Sequence, residues 1–179
     1  MPAVAVALAS TVVLGAGAAA AAPSAPLPPS PPVPSPALAS SAALASSAAL
    51  APEADVSHHG HVLLWGSGLG VRVRTENHGP SSLAGVTVRV RTSVALAERQ
   101  ELPQSCLQTD RWTVLCRTGT LHADGAEERR LALELRLAGR PDEVVVRVDT
   151  LWNGGATDRN PGNDDHEVLA PATGDEYVF

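Results

Sequence analysis

Four segments of the chain alternate between apolar and polar residues. They cover residues 69–75, 86–91, 130–137 and 144–152. In an extended strand successive side chains point to opposite faces, so this alternation puts Val and Leu on one face and mostly Arg and Glu on the other. The pattern therefore predicts four β-strands that each bury one side.

Turn-forming residues separate these segments and mark the strand ends. They lie at 77–80 (Asn-His-Gly-Pro), 123–125 (Ala-Asp-Gly), 139–142 (Gly-Arg-Pro-Asp) and 153–155 (Asn-Gly-Gly). Weaker strand patterns occur near 54–64, 113–117 and 165–170, and no convincing helix is present. About seven short strands without helices predict an all-β fold, an antiparallel β-sandwich.

The alternating part is preceded by a segment of different composition. The first charged residue is Glu53, and residues 3–22 are apolar or small. These features predict a signal peptide at 1–22, although no Lys or Arg precedes the apolar stretch. A membrane anchor is the weaker alternative because alanine is only slightly apolar. We expect secretion, with no membrane attachment after cleavage.

Nine of the fifteen prolines lie within 23–52, a segment rich in Ala, Pro and Ser. Proline lacks the N–H that helices and ladders need, so this segment is predicted to be a disordered, extended linker. The sandwich is then expected at 53–172, followed by a flexible tail at 173–179. About 120 residues are enough for one domain with a modest core.

The charge distribution excludes one class of partner. The formal net charge is −6, carried by residues 53–179, and all 13 basic residues are arginine without a basic run. Nucleic-acid binding requires clustered Lys and Arg to neutralise phosphates, so no nucleic-acid partner is predicted.

The chain has two cysteines, Cys106 and Cys116. Each lies five residues from Arg111, so a hairpin turning there sets them directly opposite one another, within reach of a disulfide. An even cysteine count in an exported protein also favours a disulfide. Both cysteines are thereby removed as candidate nucleophiles, and no Gly-x-Ser-x-Gly elbow occurs, so no catalytic residue is assigned.

Several segments together resemble the immunoglobulin-like repeat called domain of unknown function 11, which is common in bacterial surface and secreted proteins. The residues that carry the resemblance are 73–82 (VRTENHGPSS), 84–88 (AGVTV), Cys106 with 114–116 (VLC), 119–125 (GTLHADG) and 158–163 (DRNPGN). The resemblance covers most of residues 53–170. It implies an immunoglobulin-like sandwich in a secreted protein of an actinomycete-like bacterium, and it implies no activity.

Two clusters raise the alternative of a metal-binding protein or a secreted enzyme. His58, His59 and His61 are imidazoles at short spacing, but a strand puts only His59 and His61 on one face, so we interpret them as exposed histidines. The second cluster has oxygen ligands that suit calcium, but it lacks the Gly and Glu of an EF-hand loop. It consists of Asp158, Asn160, Asn163, Asp164 and Asp165. No metal and no cofactor are therefore assigned.

Trp112 and Arg111 lie at the tip of the predicted disulfide hairpin. An exposed aromatic residue on a loop is a common interface anchor, so these two residues are the candidate binding loop. The sequence thus predicts a secreted, non-catalytic binding or structural module on a flexible spacer. Its ligand is unknown, with a cell-surface protein, another extracellular protein or a wall polymer as candidates.

Overall fold

The computed structural model describes residues 50–179. The predicted signal peptide (1–22) and all but the last three residues of the predicted linker (23–52) lie outside this range. Within residues 50–179 there is no helix long and apolar enough to cross a bilayer.

Eleven strands account for most of the described chain. In chain order they are β1 (Glu53–Ala54), β2 (Val56–Trp65), β3 (Gly68–Asn77), β4 (Thr87–Thr92), β5 (Cys106–Gln108), β6 (Thr113–Arg117), β7 (Arg129–Arg136), β8 (Glu143–Trp152), β9 (Thr157–Asp158), β10 (Asp165–Pro171) and β11 (Glu176–Val178). A single turn of 3-10 helix at Ala123–Gly125 precedes β7.

The strands form two antiparallel sheets that pack as a sandwich, as the alternating pattern predicts. One sheet has the order β10-β8-β4-β6-β5 and the other the order β11-β2-β3-β7, while β1 and β9 make a short parallel pair. The four alternating segments become β3, β4, β7 and β8. Their apolar faces, with those of β2 and β10, form the core between the sheets.

The C-terminal residues belong to the sandwich, so the predicted flexible tail at 173–179 is wrong. Strand β11 pairs with β2, and Phe179 exchanges two backbone hydrogen bonds with Gly60 at 3.0 and 3.2 Å. Tyr177 and Phe179 are partly buried against the core, and the Phe179 ring lies 5.3 Å from that of His166. This apolar contact and the open edge of β2 explain why the segment is ordered.

The loops at one end of the sandwich are joined to one another by backbone hydrogen bonds. We call this the hairpin end, and it comprises the connections at 66–67, 93–97, 109–112 and 137–142. The bonds run from Leu137 N to Ser67 O (2.8 Å), from Ala138 N to Ala95 O (2.8 Å) and from Leu96 N to Arg111 O (2.6 Å). These connections therefore form one continuous rim.

Candidate functional site

The β5–β6 hairpin has the predicted geometry. Cys106 and Cys116 are direct cross-strand partners with their Cα atoms 4.1 Å apart, and they form a disulfide. The hairpin turns between Gln108 and Thr113, which places Arg111 in the turn. The disulfide closes this hairpin at its base and leaves its tip at the hairpin end.

At the tip of the hairpin, hydrogen bonds fix the Trp112 backbone while its ring is about half exposed to solvent. The Trp112 N–H donates to Asp110 Oδ1 at 2.7 Å, and the Trp112 carbonyl accepts from Thr92 N at 2.9 Å. The indole is 47% exposed, and the Arg111 guanidinium lies 5.7 Å from its centroid, within cation–π range. The ring is thus presented to solvent from a fixed backbone.

A second tryptophan, which the sequence reasoning missed, lies at the same end. Trp65 closes β2, and its indole rests on the backbone of Gly68 and Gly70 in the next strand. A Cβ at Gly68 would come within 2.6 Å of the indole Cε2, and one at Gly70 within 3.2 Å of Cζ3. The glycines therefore act as a flat support, and the indole remains 46% exposed.

An open cleft of about 600 Å³ runs beside Trp65. Ser67, Arg136 and Arg140 also line it, and they supply hydroxyl and guanidinium groups next to the indole. The hairpin end therefore combines two exposed aromatic rings, Trp65 and Trp112, with arginines close to each. Alternating glycines after a tryptophan, as in Trp-Gly-Ser-Gly-Leu-Gly, are the sequence signal that could have identified this surface.

All three tryptophans of the chain are about half exposed, and the third lies at the opposite end. Trp152 ends β8 beside the turn at 153–155 and is 51% exposed. Tryptophan is usually well buried on average, so this distribution is unusual for a small core. About half of each large aromatic side chain is therefore exposed to solvent and is not buried in the core.

The three histidines do not converge, and the interpretation of His58 as an exposed residue is wrong. Its side chain points into the core and is fully buried, whereas His59 is exposed and His61 is partly exposed on the outer face of the sheet. The ring bridges the two sheets: Nδ1 lies 3.0 Å from Thr75 Oγ1 and Nε2 lies 2.9 Å from Thr150 Oγ1. Burial, reinforced by the charge of His166, lowers the pKa of His58 to about 4.

A chain of polar groups continues from His58 through Thr150 to Asp164. Burial raises the pKa of the Asp164 carboxyl to about 6, and a hydrogen bond with the Thr150 side chain opposes the rise. The hydroxyl at the other end, Thr75, is 1% exposed. A substrate cannot reach a hydroxyl buried to this degree, so the arrangement satisfies buried polar groups rather than forming a catalytic site.

The oxygen-rich loop at 158–165 also serves the fold. Asp158 accepts hydrogen bonds from Val56 N through Oδ2 (3.0 Å) and from Asn160 N through Oδ1 (2.9 Å). Asn163 donates to Asp55 Oδ1 at 2.9 Å, and Asp165 pairs with Arg147 through both oxygens. These carboxylates thus already bond to protein donors. Within residues 50–179 no group of three or more His, Cys, Asp or Glu side chains is arranged to hold a metal ion.

The Asn-His-Gly-Pro turn contacts the same junction between β1 and β2. Asn77 is buried and accepts from Asp55 N (3.2 Å) and Gly79 N (3.1 Å). A Cβ on Gly79 would lie 2.5 Å from the Ala54 backbone, so only glycine fits there. The first and last segments of the family resemblance therefore fasten the start of β2, which gives them a structural role.

The arginines of the strand faces are mostly paired with carboxylates. The pairs include Arg72 with Glu134, Arg74 with Glu76 and Glu128, Arg89 with Asp149, and Arg147 with Asp165. These faces are consequently close to neutral and do not form a basic surface.

The chain is an all-β sandwich, and its hairpin end presents two half-exposed tryptophans on loops that are hydrogen-bonded to one another. No known family model matches the chain, and comparison with curated proteins and with solved structures found no match. Membership in the family that the motifs resemble therefore stays a prediction.

Proposed function

We propose that this protein is a secreted, non-catalytic binding module of immunoglobulin-like fold, displayed on the linker at 23–52. Its ligand is an extracellular protein, a cell-surface protein or a wall polymer, bound at the hairpin end. The observation that carries this proposal is the pair of half-exposed indoles, Trp65 and Trp112, on one hydrogen-bonded rim.

The physical basis is the high binding energy that tryptophan can supply. A large aromatic ring buries much apolar area at a low entropic cost, so Trp is enriched among residues that dominate interface energies. Trp65 is held on two glycines and Trp112 by backbone hydrogen bonds, which reduces the ordering that binding would require. Arg111, Arg136 and Arg140 add donors for polar groups of a ligand.

Secretion is supported by the apolar segment at 3–22 and by the Cys106–Cys116 disulfide. Disulfides persist in oxidising compartments and are rare in the cytosol. The alternative of a secreted enzyme or metal-binding protein would use His58, His59 and His61 or the 158–165 loop. Their contacts support it less well, because His58 and the loop carboxylates are bonded within the fold.

The test measures retention of the labelled full chain on isolated cell walls, before and after protease removes the wall-attached proteins. Trp65→Ala and Trp112→Ala should each weaken binding by about tenfold or more, the loss typical of an aromatic hot spot. Trp152→Ala is the matched control, since this ring is equally exposed at the opposite end.

Equal losses for all three variants, or no loss for Trp65→Ala and Trp112→Ala, would contradict the proposed site. If protease abolishes the retention of the wild-type chain, the ligand is a surface protein. Retention that survives protease identifies the wall polymer as the ligand.

A further inference from the structure

Strand β7 is the edge of the four-stranded sheet, and part of that edge is open. In an antiparallel ladder alternate residues direct both backbone groups to the same side. Arg136 directs its groups away from β3, since its N–H donates to Gln100 Oε1 and its carbonyl accepts from Ala97 N and Gln100 Nε2, all at 2.8 Å. By the same alternation Arg130, Ala132 and Glu134 face outward, and within residues 50–179 their backbone groups have no partner there.

The side chains along this edge carry charges that are antisymmetric about Ala132. Glu128, Arg130, Ala132, Glu134 and Arg136 follow one another at every second position on the outer face. When a second copy runs antiparallel with Ala132 opposite Ala132, Arg130 faces Glu134 of that copy and Glu128 faces its Arg136. Every charged pair across the junction is then of opposite sign.

We propose that β7 pairs with β7 of a second copy of this chain, in the register centred on Ala132, to make a symmetric dimer. The three outward-facing residues of each copy would exchange about six hydrogen bonds, two for each facing pair. On the core side Leu131 lies opposite Leu133 of the second copy, which continues the apolar layer across the two-fold axis. The contact is isologous, so it closes after two copies.

The charges along β7 favour this register over the registers shifted to either side. If one strand is shifted in one direction, Glu128 faces Glu134 of the second copy, and a larger shift makes Arg130 face Arg130. If it is shifted in the other direction, Arg130 faces Arg136 of the second copy, and a larger shift makes Glu134 face Glu134. Like charges directly opposite destabilise a strand pair. Of these registers, only the one centred on Ala132 places no like charges opposite each other.

Few contacts within one copy have to break for the two β7 strands to pair. Within one copy Glu134 pairs with Arg72, and Glu128 pairs with both Arg130 and Arg74. The side chains of Arg130 and Glu134 are 80% and 57% exposed, whereas that of Glu128 is 27% exposed. Exposed ion pairs contribute little, so exchanging those of Arg130 and Glu134 for pairs across the dimer costs little. A cleft of about 330 Å³ lined by Thr118, Gly119 and 129–131 lies beside this edge. The ladder is short, so the dimer is expected to be weak and reversible.

Sedimentation equilibrium of the full chain over a concentration series tests the proposal. The wild type should show a monomer–dimer equilibrium. Glu134→Arg should weaken it by about tenfold or more, because arginine then faces arginine. Combining Arg130→Glu with Glu134→Arg restores opposite charges and should return the dissociation constant to near the wild-type value. Glu143→Arg, the same charge change on an exposed position of the other sheet, should have no effect.

A second variant set tests the register without relying on charge. Ala132→Cys should form a disulfide-linked dimer on oxidation, because facing Cα atoms in a hydrogen-bonded pair are about 5.5 Å apart. Arg130→Cys should not, since the two thiols would be separated by about 13 Å along the strands. A monomer at every concentration, an unaffected Glu134→Arg variant, failure of the double variant to recover, or equal crosslinking at both positions would overturn the proposal.

Discussion

His58 illustrates how one residue can join the two layers of this sandwich. Its imidazole contacts Thr75 in its own sheet and Thr150 in the other, and it has no access to water. A buried imidazole satisfied by two hydroxyls is neutral, because burial disfavours the charged form. The residue therefore contributes polar cross-linking to the core as long as it stays unprotonated.

Acid should weaken the fold through His58. Its pKa is about 4 in the folded protein and 6.5 in the unfolded chain, so stability is complete above pH 6.5 and falls as the pH drops toward 4. The integrated loss is on the order of 3 kcal/mol. Urea unfolding at several pH values should show this loss in the wild type and in the exposed-site control His59→Gln, and not in His58→Gln. The same pH dependence in His58→Gln would refute the assignment.

Asp164 should have the opposite pH dependence. Its pKa of about 6 lies above the ordinary 3.8, so the folded state favours the protonated form, and stability falls as the pH rises from about 4 to 6. Asp164→Asn should raise the melting temperature at pH 7.5 and lose that advantage near pH 4. Asp165→Asn is the control with the reverse sign, because pairing with Arg147 lowers the pKa of that carboxyl. A gain for Asp164→Asn that does not change with pH would contradict this account.

The roles of these residues are not visible in the sequence. An alternating pattern predicts inward-facing positions from apolar residues such as Val, Leu and Ile. His58 lies at an inward position of β2 but is polar, so the pattern does not predict its burial. Its hydrogen-bond partner Thr150 is 92 residues away. Only the pairing of strands brings such residues together, so burial of a polar side chain is predicted poorly from local pattern.

Among the elements, the β5–β6 hairpin could be predicted from sequence. Its two cysteines are symmetric about Arg111, and a tight hairpin leaves them a single pairing. Strand β11 could not be predicted, since three residues do not establish an alternation and its partner β2 lies more than 100 residues earlier. Short strands held by tertiary contacts are the elements that sequence periodicity misses.

The disulfide should stabilise the hairpin without deciding the fold. It closes a loop with a sequence separation of 10, for which the expected contribution is about 3 kcal/mol. Replacing both cysteines by alanine should lower the free energy of unfolding by about that amount and leave the β-sheet circular dichroism unchanged. Thiol labelling of the native protein should find no free cysteine. An unfolded double variant, or two reactive thiols in the wild type, would contradict this prediction.

Strand β11 should be required for full stability. Removing residues 173–179 uncovers the edge of β2 and the apolar surface under Tyr177 and Phe179. We expect a melting temperature lower by several degrees, measured by differential scanning calorimetry. Val178→Ala serves as the control because this side chain points into solvent and is 78% exposed. A truncated chain as stable as the wild type would mean that β11 contributes nothing.

For the molecule as a whole, the sequence predicts the sandwich and the exposed Trp112, but not the surface that Trp112 shares with Trp65. Strands β3, β4, β7 and β8 each have an apolar face from their alternating residues, and these faces require two sheets packed together. The placement of Trp65 and Trp112 at the same end depends on the order of strands within each sheet. The two residues are far apart in the chain, so local pattern cannot predict that they share one end.

The sandwich should be independent of metal ions. Asp158 and Asp165 of the 158–165 loop already accept hydrogen bonds from Val56, Asn160 and Arg147, so the loop is held by protein donors. The melting temperature should therefore be the same with EDTA and with added calcium. A fall of many degrees in EDTA that calcium alone reverses would make this loop a structural calcium site.

The closed hairpin also determines how a mechanical load would spread. A ligand bound at Trp112 would pull on the tip of a hairpin whose outer strand, β5, is only three residues long and lies at a sheet edge. Without the Cys106–Cys116 bond, β5 could peel away one hydrogen bond at a time. With it, tension at the tip reaches β5 and β6 together and passes into β4, so the whole five-stranded sheet resists the pull.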